Sequence, residues 1–306
     1  MEFAFGICFL FAVVRADFVV LNEFVNDRLR FIDTSKSAYQ LCRVEMQYPE
    51  DASDCKHMTE NMTAAFNIRR EQMRNGEGDY KLYDSAKYIE EHHLTENDLK
   101  GIFRWSYSDE RYYNSMSAFL TNYGQTGSYE CSVKFLIDGL NKLDSANTEE
   151  LWRGESYNFT FFERNREIYE NFTNLREGQV VVTSSFTSSA SRRGPALLYY
   201  GNVTESDTVK KLMFRIQKST NSGCRYIAPV SAYPKEDECL YEPGVQFKVT
   251  QAVHDEVIDG EIVHIIELEQ ITRIYEEYYY FSGNCSAAGR LAITFVLFLA
   301  ALLHLF

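Results

Sequence analysis

Three segments of the second half combine residue types that do chemistry. In Leu151-Trp152-Arg153-Gly154 an apolar run ends in a guanidinium followed by glycine. The guanidinium offers a rigid fork of donors to phosphate or ribose oxygens, and glycine lets a ligand approach the backbone closely; the same pair also serves as a plain turn. The run VVVTSSFTSSA, residues 180–190, opens from an apolar strand into hydroxyls. Such hydroxyls hold a sugar or a carboxylate in one geometry, or simply line an exposed strand. In SAYPKEDEC, residues 231–239, three consecutive acids follow a proline turn. If that stretch is extended, alternate residues share a face, so Glu236 and Glu238 point one way and Asp237 the other. Two carboxylates on one face repel and shift each other's titration, which suits acid–base or cation-stabilising work; the plain alternative is a solvated loop.

The elements that must position these segments fall into two halves. From about Asp33 to Glu150 the chain is polar and aromatic with helical spacing, as in residues 58–73, 83–93 and 95–108. Thr95 followed three residues later by Asp98 predicts a capping box at the start of the last of these. Between Tyr129 and Leu143 the residues Val133, Leu136, Ile137 and Leu140 recur on one helical face. After Thr148, β-rich runs at 151–153, 179–186, 212–217, 225–230, 245–252 and 262–268 alternate with turn residues. IVHIIEL at 262–268 is dense in β-branched residues, and QFKVTQAV alternates apolar with polar. The expected class is therefore α+β, with helices first and the sheet second.

Composition narrows the partners and the compartment. The 306 residues are 45% hydrophobic and 25% charged, an ordinary globular balance. With 31 Lys+Arg against 44 Asp+Glu the net charge is −13, which repels phosphate backbones and argues against nucleic acid as a general partner. Residues 1–16, MEFAFGICFLFAVVRA, read as a secretory signal cut after Ala16. The last sixteen residues, LAITFVLFLAALLHLF, are too short for an ordinary spanning helix, which wants about 20 apolar residues. They follow the small residues Ser282, Gly283, Ser286, Ala287, Ala288 and Gly289, which is the pattern of a glycolipid attachment signal. Five sequons, at Asn61, Asn158, Asn171, Asn202 and Asn284, agree with a secretory route and predict exposed stretches at 158–174 and 200–204. Of seven cysteines, Cys8 leaves with the signal, and Cys42, Cys55, Cys131, Cys224, Cys239 and Cys285 stay available for disulfides. There is no CxxC and no HExxH, and His92-His93 reads as part of a solvated helix, so no metal is expected.

The order Arg-Gly, then Phe-x-Ser-Ser, then Glu-x-Glu after a proline turn resembles the arginine, serine, glutamate signature of the arginine-specific mono-ADP-ribosyltransferases. It is similar in particular to the vertebrate GPI-anchored ecto-enzymes, and the resemblance spans most of the mature chain. It implies a signal at 1–16, an ADP-ribosyltransferase domain at 17–285 and an attachment signal at 286–306 that is removed. Within the domain it implies a mostly helical part at about 33–150 and a two-sheet NAD-binding core at 151–285. The glycine fingerprint of the doubly wound dinucleotide fold is missing.

Carried over residue by residue, the resemblance implies that Arg153 holds the phosphate and the nicotinamide-side ribose, and that Gly154 gives backbone contacts to the nicotinamide amide. Ser188 would position the glutamate and the ribose, with Thr187 and Ser189 as neighbouring choices; Ala190 stands where the family often has a hydroxyl. Glu238 would be the catalytic carboxylate and Glu236 the residue that selects arginine. NAD is the implied co-substrate, accessible arginines on extracellular or membrane proteins the implied acceptors, and the outer cell surface the implied location. Tyr233 would lie where the family carries a target-contacting aromatic, or else be a partly buried turn residue. Arg192 and Arg193 would face the pyrophosphate or solvent, and Cys42 would pair with Cys285. NAD glycohydrolysis and a catalytically silent binding module are the alternative readings.

Overall fold

The computed structural model describes the backbone of residues 18–21 and, with side chains except at a few positions, residues 58–107, 116, 130–160, 163–183, 186–201, 205–218, 224–242 and 245–273. Both terminal segments, Cys42, Cys55, Cys285, Asn202 and Asn284 lie outside the described residues.

After a short strand, β1 (Phe18–Leu21), the first half contains α1 (Glu60–Asn75), α2 (Ser85–Glu91), α3 (Glu96–Ser106) and α4 (Glu130–Leu140). The predicted capping box forms: the Thr95 hydroxyl accepts from the Asp98 N–H, and the Asp98 carboxylate accepts from the Thr95 N–H. Such a cap contributes about 1 kcal/mol to a helix start. α3 and α4 lie so close that a Cβ on Gly101 would stand 2.4 Å from the Leu136 nitrogen. One apolar core joins Phe66 of α1, Ile102 and Phe103 of α3, and Val133, Leu136, Ile137 and Leu140 of α4, the face that the helical spacing predicts.

The second half contributes β2 (Glu150–Asn158), α5 (Glu163–Thr173), β3 (Val180–Thr183), β4 (Thr187–Ala190), α6 (Arg193–Gly201), β5 (Val209–Gln217), β6 (Cys224–Tyr226), β7 (Glu238–Tyr241), β8 (Val245–Ile258) and β9 (Glu261–Arg273). The expected run at 225–230 is only partly a strand. Ala228–Val230 turns into a 3₁₀ helix, because Pro229 has no N–H to give to a ladder.

The strands form one order, β1-β3-β8-β9-β5-β2-β4-β7-β6, rather than two separate sheets. Every neighbouring pair is antiparallel except β5 with β9. The joint between β2 and β4 is a single residue pair, Trp152 with Ala190. Laid flat, the five steps from β7 to β8 would separate those strands by roughly 24 Å. The chain from Tyr241 to Val245 can span no more than about 14 Å. The sheet therefore folds over at its one-residue joint, and the Tyr241 and Phe247 rings meet edge to face at 5.1 Å. Leu151, Phe214, Val249 and Leu268 share the resulting core with Cys239 and Tyr241. Cys224 and Cys239 form a disulfide between β6 and β7, with Cα atoms 5.7 Å apart.

Candidate functional site

The site lies where β2 and β4 part. Past Trp152 the strand β2 keeps its pairing with β5 through Asn158, while β4 stays with β7. The two inner strands thus diverge and leave an opening at Arg153. The Arg153 guanidinium bridges it, with Nη1 donating to the Ser188 carbonyl at 2.6 Å and Nε donating to Glu155 Oε1 at 2.7 Å. Glu155 is buried and also accepts from the Tyr157 hydroxyl, so Arg153 is held from two sides before any ligand arrives.

Glu238 is the first residue of β7, opposite Ala190, and is 4% exposed. Trp105 Nε1 donates to its Oε1 at 3.3 Å, and the Ser188 hydroxyl donates to the same carboxylate. Burial pushes the Glu238 carboxyl up to about 7; the negative charge of Glu236 adds to the rise, while Ser188, Trp105 and the Arg153 charge oppose it. A carboxyl so placed changes charge near neutrality, as an acid–base or cation-stabilising group must.

Ser188 is therefore the hydroxyl that meets the glutamate. Ser189 points to the other face and donates to the Cys239 carbonyl at 2.8 Å. Thr187 is fully buried. Alternation along β4 decides between these neighbours, a choice that hydroxyl content could not make. Phe186, just before β4, packs edge to face on Trp105 at 5.3 Å and so supports the donor to Glu238.

The acidic segment is a turn leading into a strand, so strand alternation does not relate its two glutamates. Pro234–Glu236 is a single 3₁₀ turn, and Asp237 takes a left-handed conformation, φ 53°, before Glu238 enters the ladder. Proline fixes the start of the turn, and Asp is among the few residues that tolerate a positive φ. The two glutamates come together through this kink and not through strand alternation, and they are close enough for the charge of one to raise the other. Asp237 is 3% exposed, and its carboxylate accepts from Tyr226, Arg192 and Ser191.

Gly154 has a packing reason for its lack of a side chain. A Cβ there would lie 2.2 Å from the Ala196 carbonyl oxygen of α6. The close approach is made by the protein's own helix. Arg192 is engaged by Asp237 at 2.7 Å, and Arg193 lies 3.7 Å from Asp259. Tyr233 is partly buried and its ring lies parallel to that of Tyr107, as a turn residue. His92 Nδ1 meets the Lys142 carbonyl at 2.8 Å and its ring packs on Tyr88. Asn61 and Asn171 are exposed, and Asn158 is half-buried at the end of β2.

Sequence reasoning missed three contributors: Trp105, Glu155 and Asp237. Trp105 sits 133 residues from Glu238, so spacing carried no sign of it. Glu155 was within reach, because it lies two residues from Arg153 on the same face of β2.

No family model and no curated relative matches the sequence. Among solved structures the chain is similar to the Vis toxin, an ADP-ribosyltransferase from Vibrio splendidus, with 20% identity over 75% of this chain and 94% of that one at a TM-score of 0.42. It is also similar to the ADP-ribosyltransferase HopU1 of Pseudomonas syringae, with 16% identity over 70% and 99% at 0.46. The Clostridium limosum C3 exoenzyme gives 12% identity over 71% and 97% at 0.44. All three scores lie below 0.5, which leaves the chain's own side chains to speak for what it does.

Proposed function

We propose that this chain cleaves the bond between nicotinamide and ribose in NAD and transfers the ADP-ribose to arginine side chains of proteins at the cell surface. The observation that carries this reading is the buried Glu238 carboxylate, held by Ser188 and Trp105 and flanked by Glu236 and Arg153 at the parting of β2 and β4.

The fit to NAD rests on those donors and acceptors. A dinucleotide needs a cation for its phosphates and an anion for the charge that develops on its ribose. Arg153 and Glu238 stand across the same opening with opposite charges, near enough to perturb each other. Arg153 already faces Glu155, so a phosphate would share the guanidinium with that carboxylate.

When the glycosidic bond breaks, its electron pair leaves with nicotinamide, whose ring nitrogen loses its positive charge. Positive charge then appears on the ribose, as in the oxocarbenium-like transition states of glycosidases. Ionised Glu238 stabilises that charge by accepting a hydrogen bond from the 2′-hydroxyl, in a site with little water to screen it. The acceptor guanidinium is protonated and non-nucleophilic at neutral pH. Glu236, partly exposed on its turn, pairs with it, orients it and takes the proton as the new carbon–nitrogen bond forms. With no guanidine docked, water takes the ribose instead and the outcome is NAD hydrolysis.

The decisive experiment incubates the purified protein with NAD labelled in its adenylate portion and with polyarginine. Label on polyarginine together with free nicotinamide is expected. Nicotinamide release without label on the acceptor would restrict the activity to hydrolysis. No release of nicotinamide, with NAD still bound, would make the chain a silent binding module on this fold.

A further inference from the structure

We infer that Asp237, between the two glutamates, is a positioning residue that sets where Glu236 points and so decides whether the ribose goes to a guanidine or to water. This rests on the reading proposed above. The Asp237 carboxylate gathers donors from three separate parts of the chain. Tyr226 of β6 donates at 2.5 Å, Arg192 Nε at 2.7 Å and Tyr83, after the 3₁₀ helix Gly78–Leu82, at 3.5 Å. The Ser191 hydroxyl is the fourth donor. A solvated acidic loop needs none of these, whereas a buried carboxylate without donors would be costly.

The backbone of the same residue is also committed. The Asp237 N–H closes the 3₁₀ turn on the Pro234 carbonyl at 3.0 Å, and its carbonyl accepts from the Ser191 N–H at 3.0 Å. The single Tyr83 hydroxyl hydrogen is shared between Asp237 and its nearer acceptor, the Pro234 carbonyl at 3.0 Å, so the first half of the chain reaches both ends of the turn. A positive φ at a non-glycine residue is an unfavourable conformation that persists where its surroundings hold it. Here the holding groups are the four donors.

The two glutamates depend on this clamp unequally. Glu238 begins a paired strand and is fixed by Trp105 and Ser188. Glu236 ends a one-turn helix, its N–H donating to the Tyr233 carbonyl at 3.0 Å, and its neighbour Asp237 connects it to the sheet. Loosening the clamp therefore moves the one-turn helix that carries Glu236 more than the paired strand that carries Glu238.

The test compares wild type with Asp237→Asn, which keeps the size and the tolerance of positive φ but loses the charge. Tyr226→Phe removes one donor and leaves Asp237 in place. Transfer to agmatine and hydrolysis of NAD are measured in parallel, together with the KM for agmatine. The ratio of transfer to hydrolysis is expected to fall by about tenfold in Asp237→Asn and about threefold in Tyr226→Phe, with a raised agmatine KM. An unchanged ratio, or equal loss of both rates, overturns the inference. If Asp237→Asn does not fold, Tyr226→Phe decides on the same readout. If the wild-type protein cleaves no NAD, the proposed function fails by itself. Amide hydrogen exchange then decides about Asp237: faster exchange across 235–237 with β7 still protected supports the clamp, and unchanged exchange overturns it.

Discussion

Trp105 Nε1 lies 3.3 Å from Glu238 Oε1, across 133 residues of sequence. The indole comes from α3 in the helical half and the carboxylate from β7 in the sheet, so this contact joins the two halves at the candidate reacting group. A donor to the ionised carboxylate favours that form and works against the rise caused by burial. Trp105→Phe is therefore expected to move the Glu238 titration above its present value of about 7 and to cut NAD cleavage at neutral pH by roughly tenfold. Raising the pH should restore part of the loss. A pH–rate profile of the variant checks this, and a loss independent of pH would contradict it.

The raised Glu238 titration also makes a statement about stability. Its ordinary value of 4.5 applies to the unfolded chain and about 7 to the folded one, so between these values the folded state binds more protons. Stability from this group is thus fully present below about pH 4.5 and is lost as the pH rises through about 7. At 1.36 kcal/mol per pH unit the loss is on the order of 3 kcal/mol. Glu238→Gln, which never ionises, is expected to unfold at a higher temperature than wild type at pH 8 and to show little difference at pH 5. Thermal unfolding at the two pH values measures it. The same variant should lose both transfer and NAD hydrolysis by at least about a hundredfold if Glu238 stabilises the ribose cation.

Glu236→Gln removes the nearby negative charge that helps to raise Glu238. The expected result is a downward shift of the pH–rate limb, so that NAD cleavage reaches its plateau at lower pH. Transfer to arginine should fall far more than cleavage, by about a hundredfold relative to it, since no carboxylate remains to pair with the guanidinium. Equal losses in the two rates would remove the division of labour between the glutamates.

Gly154→Ala places a methyl group 2.2 Å from the Ala196 carbonyl of α6, against backbone that cannot rotate away. The helix must shift, at a cost of roughly 1–3 kcal/mol. Urea unfolding should show a lower midpoint with a similar slope. Unchanged stability would mean that α6 is looser than its packing on β2 implies.

Much of the helical half was legible from local rules. Thr95 and Asp98 form their cap, and Val133, Leu136, Ile137 and Leu140 turn to the core, because capping and helical periodicity depend on residues three or four apart. The resemblance to a known family, and no local rule, joined Arg153, Ser188, Glu236 and Glu238 into a set with one chemistry. Their chain-local sequence carried no distance between them. The fold-over at Trp152 and Ala190 brings Arg153, Ser188 and Glu238 to one opening, and that closure depends on pairings between strands far apart in the chain. How Glu236 and Glu238 are related across Asp237 was not legible, for a related reason. Alternation applies while a strand runs on, whereas the donors around Asp237 arrive from Tyr83, Ser191, Arg192 and Tyr226 and hold a left-handed kink that no local propensity demands. Sequence alone thus determined which groups were available for chemistry and where the first-half helices and most strands would lie, while α5, α6 and the 3₁₀ turn at Ala228–Val230 arose in the half expected to be sheet. Tertiary structure decided which groups meet, which hydroxyl faces the glutamate and how far burial shifts its charge, because desolvation and long-range pairing come into being only when the chain is packed.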